Sequence, residues 1–333
     1  MGTVVSMSPV PAPLLEQWIV SQLGNPDLKV AGVHEADEAT RHAALVDAEI
    51  VLGDYTFQHR IDEALLEHAP KLKFVQQPSV GYQHIDLDAT REAGIPVANV
   101  GAANAIGVAE QAIMFMLCLL KRALYFHAKT ARGEWGQQDV FSLGMLELHG
   151  KTLGIVGMGH IGREVAARAK AFGCRIAYHD LVALPAEEEK ALGAERMELD
   201  DLLRAADIVS LHVPLTPETT RLIDAERLGL MKPEAYLLNL ARGEVVDEAA
   251  LAEALEEGRL AGAGIDVFAQ EPVDPGNPLL ASDKVILSPH VAGGTNESRV
   301  RMITVTIENV TRALTGEKPL YVVNGVEMAG TAR

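Results

Sequence analysis

The sequence predicts an α/β protein of two domains, each built on a doubly wound parallel sheet. Three observations carry that prediction. The chain has 333 residues and is 48% apolar, enough for two domains with cores of their own. Short apolar runs alternate with amphipathic stretches along nearly its whole length, the pattern of β-α units whose strands are buried on both faces. One of those runs, residues 153–156, feeds the glycine pattern Gly157-Met-Gly159-His-Ile-Gly162.

In the first domain, strands are predicted at 28–30, 50–52, 74–76 and 97–99, with helices at 14–23, 61–68 and 87–93. Gly94 and Pro96 punctuate the last helix-to-strand turn. A long apolar helix is predicted over 103–126, followed by a polar loop, 132–136, that carries Trp135. The second series places strands at 153–156, 175–179, 208–211, 236–239, 262–266 and 285–287. Six strands suit a dinucleotide-binding sheet. A final helix is expected at 297–314. The tail, 319–324, is too short to be a domain and is expected to return to the first one. The expected division is therefore 1–102 with 296–333 as one domain, and 103–295 as the other.

The glycines have separable tasks. Gly157 permits a tight turn, Gly159 lets a pyrophosphate approach the backbone, and Gly162 lets helix and strand pack closely. The helix N-terminus then faces the phosphates. A second strand follows and ends in Asp180, about 20 residues on from the glycines, where a carboxylate accepts from ribose hydroxyls. No arginine occurs in 181–183 to receive a 2′-phosphate, so the expected cofactor is NAD.

Composition excludes other classes. A net charge of −17 and the lack of any basic run argue against a nucleic-acid partner. The longest apolar stretch, 105–120, contains Glu110 and Gln111 and is short for a membrane span. No secretory leader pattern is present at the start. Residues 1–6 fit the N-myristoylation pattern, but no basic patch follows to supply a second membrane signal. Cys118 and Cys174 both lie in apolar stretches and read as reduced thiols of a cytoplasmic protein.

Three segments of the second series place polar groups directly after buried runs, where open α/β sheets bind ligands. They are 238–243 with Arg242, 264–268 with Asp266 followed by Glu271-Pro272, and 287–294 with His290. Taken singly, each is an ordinary turn or cap. Together, on a sheet that already carries the glycine pattern, they form a set suited to one reaction. Reducing a 2-keto acid requires a hydride donor, a proton donor for the forming alkoxide and a cation for the carboxylate. A histidine gives the proton, a neighbouring carboxylate stabilises its imidazolium, and an arginine fork binds the acid.

The chain resembles the D-isomer-specific 2-hydroxyacid dehydrogenase family, which includes glyoxylate/hydroxypyruvate reductases and phosphoglycerate dehydrogenases. The resemblance rests on the glycine motif, His212-Val-Pro-Leu-Thr-Pro217, Asn239-Leu-Ala-Arg-Gly243, Gly264-Ile-Asp-Val-Phe268 with Glu271-Pro272, and Ser288-Pro-His290. It implies a Rossmann cofactor domain inserted in a flavodoxin-like substrate domain, and a homodimer without metal. By position it implies that Arg242 binds substrate, Glu271 orients the histidine and His290 is the general acid/base. Asp266 would hold the nicotinamide carboxamide. The implied cofactor set is completed by Gly157, Gly159, His160, Ile161, Gly162, Asp180, Val213, Pro214, Thr219, Leu240, Ala241 and Gly293.

In the first domain, Ser79-Val80-Gly81-Tyr82 resembles the loop whose N–H groups bind the substrate carboxylate, and Asn104 resembles a substrate contact at the start of the interdomain helix. Gln83 stands where the family often has Asp, a change expected to affect loop packing more than chemistry. Glu271 argues against the formate dehydrogenase branch, which has glutamine there. Residues 53–56 contain no arginine, and Asp54 would repel a second anionic group if it faced the cleft. The expected substrate is therefore a small unphosphorylated acid of glyoxylate or hydroxypyruvate type. Two alternatives stand beside it: a phosphoglycerate dehydrogenase, with Arg60 or a partner's arginine supplying the charge, and an NAD-sensing corepressor-like binding protein.

Overall fold

The computed structural model describes residues 2–24 and 27–328. The chain separates into two compact units, Met1–Asn104 with Asn296–Arg333, and Ala105–Thr295. The lipidation-like pattern begins at Met1, outside the described residues.

Unit 1 holds five parallel strands, β1 (Thr3–Ser6), β2 (Lys29–Gly32), β3 (Ile50–Leu52), β4 (Phe74–Gln76) and β5 (Val97–Ala98), in the order β2-β1-β3-β4-β5. Alternation along the strands feeds two cores. Val5, Val51, Val75 and Val97 face one side. Val4, Ile50, Leu52, Phe74 and Ala98 face the other, where Ile307 and Val310 of the helix Asn296–Thr315 cover them. Three short helices begin on aspartate caps: Asp37 accepts from Thr40 N–H, Asp62 from Leu65 N–H and Asp86 from Ala89 N–H. Such caps contribute about 1 kcal/mol each. After the last helix the chain forms an antiparallel bridge between Val322 and Ala98. The Asn324 amide secures it, accepting from Val97 N–H at 3.1 Å and donating to Ile95 O at 2.7 Å.

Unit 2 holds a sheet of seven parallel strands, β6 (Thr152–Val156), β7 (Arg175–His179), β8 (Ala194–Arg196), β9 (Ile208–Leu211), β10 (Tyr236–Asn239), β11 (Gly262–Ile265) and β12 (Val285–Leu287). Their order is β12-β11-β10-β9-β6-β7-β8, so the chain changes direction between β6 and β9. Two doubly wound parallel sheets are thus present, as expected, with differences in detail. An interior strand of unit 1, β1, the helix Glu38–Leu45 and the edge strand of unit 2, β8, were not anticipated. The helix expected over 103–126 is two helices, Ala105–Leu120 and Ala123–Ala131, broken where Arg122 takes φ 52°. The first of these buries Val108, Ala109, Ala112, Phe115 and Met116 in one core with Leu153 and Ile155 of β6.

Candidate active site

The glycine turn lies at the β6/β9 switch point, the place where such sheets take ligands. Gly157 has φ 95°, and a Cβ there would lie 2.6 Å from His212 O. A Cβ on Gly162 would lie 2.2 Å from Gly157 O, so the helix His160–Ala171 packs on the turn only with glycine at that position. At Gly159 a Cβ would meet nothing within 4 Å. Packing does not demand glycine there; the open side fits a phosphate approaching the backbone. The first turn of the helix carries no acid to oppose an anion. His160 is exposed and Ile161 half-buried in that turn.

Asp180 follows β7. Its Oδ2 accepts from Met158 N–H at 2.7 Å and its Oδ1 from Val182 N–H at 3.1 Å, so one carboxylate ties the glycine turn to the chain after β7. Val213 and Pro214 leave β9 beside Gly157. The Thr219 hydroxyl donates to Pro214 O and accepts from Thr216 N–H, both at 2.7 Å, so it is engaged within its own loop. These residues fit a dinucleotide laid across the sheet edge with its adenosine end toward β7.

The reactive set lies at the ends of β10, β11 and β12. Asn239 closes β10 and shapes the turn beyond it: its amide donates to Arg242 O at 2.8 Å and accepts from Ala241 N–H at 3.1 Å. Leu240 and Ala241 are buried, and Arg242 emerges half-buried. A Cβ on Gly243 would fall 1.9 Å from the Phe268 carbonyl carbon. The arginine turn is therefore pressed against the chain leading to Glu271.

Glu271 bridges that chain to the histidine. Its Oε1 accepts from Phe268 N–H at 3.0 Å, and its Oε2 lies 2.7 Å from His290 Nδ1. Burial alone would push its carboxyl up. The hydrogen bonds from His290 and Phe268, with the nearby charges of His290 and Arg242, more than offset this and hold it below its ordinary value. His290 itself takes φ 52°, and its N–H donates to Asp266 O at 2.6 Å.

Asp266 is almost fully buried and supports the same loop. Its carboxylate accepts from Ser288 Oγ, from Val291 N–H at 3.0 Å and from Ala292 N–H at 3.0 Å. Gln111, on the helix Ala105–Leu120, donates to Ser288 Oγ at 3.2 Å. Asp266 thus has a structural task besides the carboxamide contact expected of it. Gly293 follows this loop.

In unit 1, the Ser79 hydroxyl accepts from Gln77 Nε2 at 2.6 Å and donates to Gly81 O at 3.0 Å, while Asn99 donates to Val80 O at 2.9 Å. Among the described residues, the N–H groups of Val80 and Gly81 have no acceptor. Asn104 Oδ1 is buried without a partner. Asp54 requires a correction. It is fully buried and accepts from Thr56 N–H and Oγ1, Gln58 N–H and His59 N–H. The carboxylate is turned into its own loop and away from solvent, so Asp54 gives no ground for preferring an unphosphorylated substrate.

Arg242, Asp266, Glu271 and His290 are therefore brought together in unit 2; Val80, Gly81 and Asn104 belong to unit 1. Sequence reasoning named Asn239, Gly243 and Ser288 within its motifs but gave them no supporting role, and it gave none to Gln111, which had no local signal.

Residues 113–292 match the model of the D-isomer specific 2-hydroxyacid dehydrogenase, NAD binding domain. The chain is 44% identical over 270 residues to a glyoxylate reductase of Aeropyrum pernix, spanning 80% of each protein. It is 43% identical over 266 residues to a glyoxylate reductase of Korarchaeum cryptofilum, spanning 79% of this chain and 80% of that one. A solved glyoxylate reductase from Paecilomyes thermophila superposes with a TM-score of 0.85 at 30% identity, covering 97% of this chain and 98% of the other.

Proposed function

This chain belongs to the D-isomer specific 2-hydroxyacid dehydrogenase family, and on that footing we propose that it reduces glyoxylate, or a 2-keto acid of similar size, with NADH. The reaction class is that of an NAD-dependent oxidoreductase acting on a CH–OH group. The observation that carries the site assignment is the Glu271–His290 pair, held at 2.7 Å beside Arg242 on a sheet whose glycine turn fits a dinucleotide.

NADH bound along the glycine turn supplies the hydride. Asp180 would hold the adenosine ribose, and Leu240, Ala241 and Asp266 would hold the other end of the cofactor. Glu271 engages His290 Nδ1, which fixes the tautomer and leaves Nε2, without a partner among the described residues, for the substrate oxygen. Protonated His290 donates from Nε2 as the alkoxide forms; in the reverse direction the neutral ring takes that proton back. Arg242 presents a planar cation to the carboxylate and the carbonyl oxygen. The uncommitted N–H groups of Val80 and Gly81 and the buried Asn104 amide suit the acid's carboxylate.

Unit 2 also supports a homodimer. The segment from Leu124 to Phe141 exposes Leu124, Tyr125, Trp135 and Phe141, the last two at 80% and 86%. Large apolar side chains grouped this way mark an interface, and a second copy of this chain is the partner proposed. No helix among the described residues is long and apolar enough to cross a membrane. Both cysteines are free, and burial pushes the Cys174 thiol up to about 11; unreactive thiols suit the cytoplasm.

The test is NADH consumption with glyoxylate, hydroxypyruvate and 3-phosphohydroxypyruvate at equal concentrations. The expected order of kcat/KM places either small acid above the phosphorylated one, and His290→Ala is expected to lower kcat about 10²–10⁴-fold. Preference for the phosphorylated acid would overturn the substrate class; near-normal turnover by His290→Ala would overturn the site.

A further inference from the structure

A second cluster of chemically capable side chains lies on unit 1, apart from the groups assigned to hydride transfer. The order β2-β1-β3-β4-β5 puts the switch point of this sheet between β1 and β3, where open α/β sheets have a crevice for ligands. His34 comes shortly after β2, Asp54 follows β3, and His59 closes the turn that Asp54 caps. One ring nitrogen of each histidine and a carboxylate oxygen of Asp54 all lie within 4.8 Å of one another.

The surroundings resemble a prepared ligand set. His34 Nδ1 lies 2.9 Å from Met7 O, and His59 Nε2 lies 2.8 Å from His34 O. The two rings meet edge to face with centroids 5.1 Å apart. A backbone carbonyl on one ring nitrogen is the usual way a metal-binding imidazole is oriented. Asp54 is fully buried, and its ion-pair partner within 4.0 Å is His34, at 3.9 Å, rather than a lysine or arginine. Its hydrogen bonds from Thr56, Gln58 and His59 favour the ionised form, so the turn holds a carboxylate anion beside the two rings.

We propose that His34, Asp54 and His59 form a binding site for a divalent transition metal of the zinc class. Two imidazoles and one carboxylate suit such ions, with water completing the shell. Bonds of about 2.0–2.2 Å require ligand atoms roughly 3–3.5 Å apart, so the three side chains must close by about an ångström. The effect is a clamp. The ion would join the ends of β1 and β2 to the turn after β3. That turn's Asp54 O accepts from Gln77 Nε2, which also donates to Ser79 Oγ in the loop proposed to bind the substrate carboxylate.

The test uses the full-length protein, freed of metal with a chelator and then titrated with zinc chloride. Bound zinc is measured after dialysis, and melting temperature is followed in parallel. Unaltered protein should hold one equivalent more than the His34→Asn/His59→Asn double variant, and its melting temperature should rise by a few degrees with zinc while the variant's does not. The His42→Asn/His68→Asn variant removes another histidine pair, stacked 3.7 Å apart, and should keep the full count. If the double variant does not fold, His34→Gln alone is read in the same way. Equal zinc content in unaltered protein and the cluster variant, or no zinc retained by either, overturns the site. Because zinc content and melting need no turnover, this result is independent of the dehydrogenase reading.

Discussion

Glu271→Gln isolates a single electrostatic contribution. The glutamine carbonyl can still accept from Phe268 N–H or from His290 Nδ1, so the shape of the loop is kept and the negative charge is lost. Two unit charges 4 Å apart are worth about 1 kcal/mol in water and about 4 kcal/mol at an effective dielectric of 20. The imidazole and the carboxylate are 34% and 38% exposed, so solvent screens them and the lower part of that range applies. A loss of about 1–2 kcal/mol corresponds to roughly a tenfold effect. Because Glu271 is held below its ordinary carboxylate value, it stays charged through neutral pH, and removing it takes away a charge that favours the protonated ring. Reduction needs that protonated form, so its kcat/KM at alkaline pH should fall about tenfold relative to the parent. Oxidation needs the neutral ring and should lose less. The assay is kcat/KM against pH in both directions, with NADH and glyoxylate and with NAD and glycolate. Superimposable profiles for parent and variant in both directions would refute the role given to Glu271.

Three further outcomes follow from the geometry. Gly162→Ala drives a methyl group into Gly157 O; it should cost about 1–3 kcal/mol of stability and raise the KM for NADH at least about tenfold, and a normal melt with a normal KM would contradict it. Asp180→Ala removes both the ribose acceptor and the anchor for Met158 N–H, so the kcat/KM ratio of NADH to NADPH should fall by about tenfold or more; an unchanged ratio would assign cofactor choice elsewhere. Phe141→Asp places a charge on the exposed apolar segment and should shift the mass measured by light scattering from dimer to monomer, whereas a parent protein that is already monomeric would remove the dimer.

What could be read from the sequence follows physical lines. Strands buried on both faces, such as 153–156 and 236–239, announce themselves as unbroken apolar runs. β8 does not, because an edge strand of Ala-Glu-Arg buries little. β1 is an interior strand but only four residues long, and a Ser-Met-Ser-Pro stretch blurs its end. The helix break at Arg122 has neither glycine nor proline to mark it. In the reactive set, residue types and spacing were legible because the chemistry demands them. Their supports were not, since Gln111 reaches Ser288 from 177 positions away in the chain. The direction of Asp54 was left open, and the structure turns it inward. Thr56 two residues later, accepting its place in an aspartate-led turn, was the available local signal.

The left-handed backbone at His290 has a cost that the reaction does not reveal. A side chain with φ 52° raises the energy of the folded chain by roughly 1 kcal/mol or more, and the buried Asp266 contacts hold it there. Glycine has no such penalty. His290→Gly and His290→Ala both remove the proposed proton donor, yet the glycine variant should melt at the higher temperature of the two. The position holds a residue that folds less well than the simplest one available, so thermal tolerance and the proposed proton transfer draw on the same few atoms.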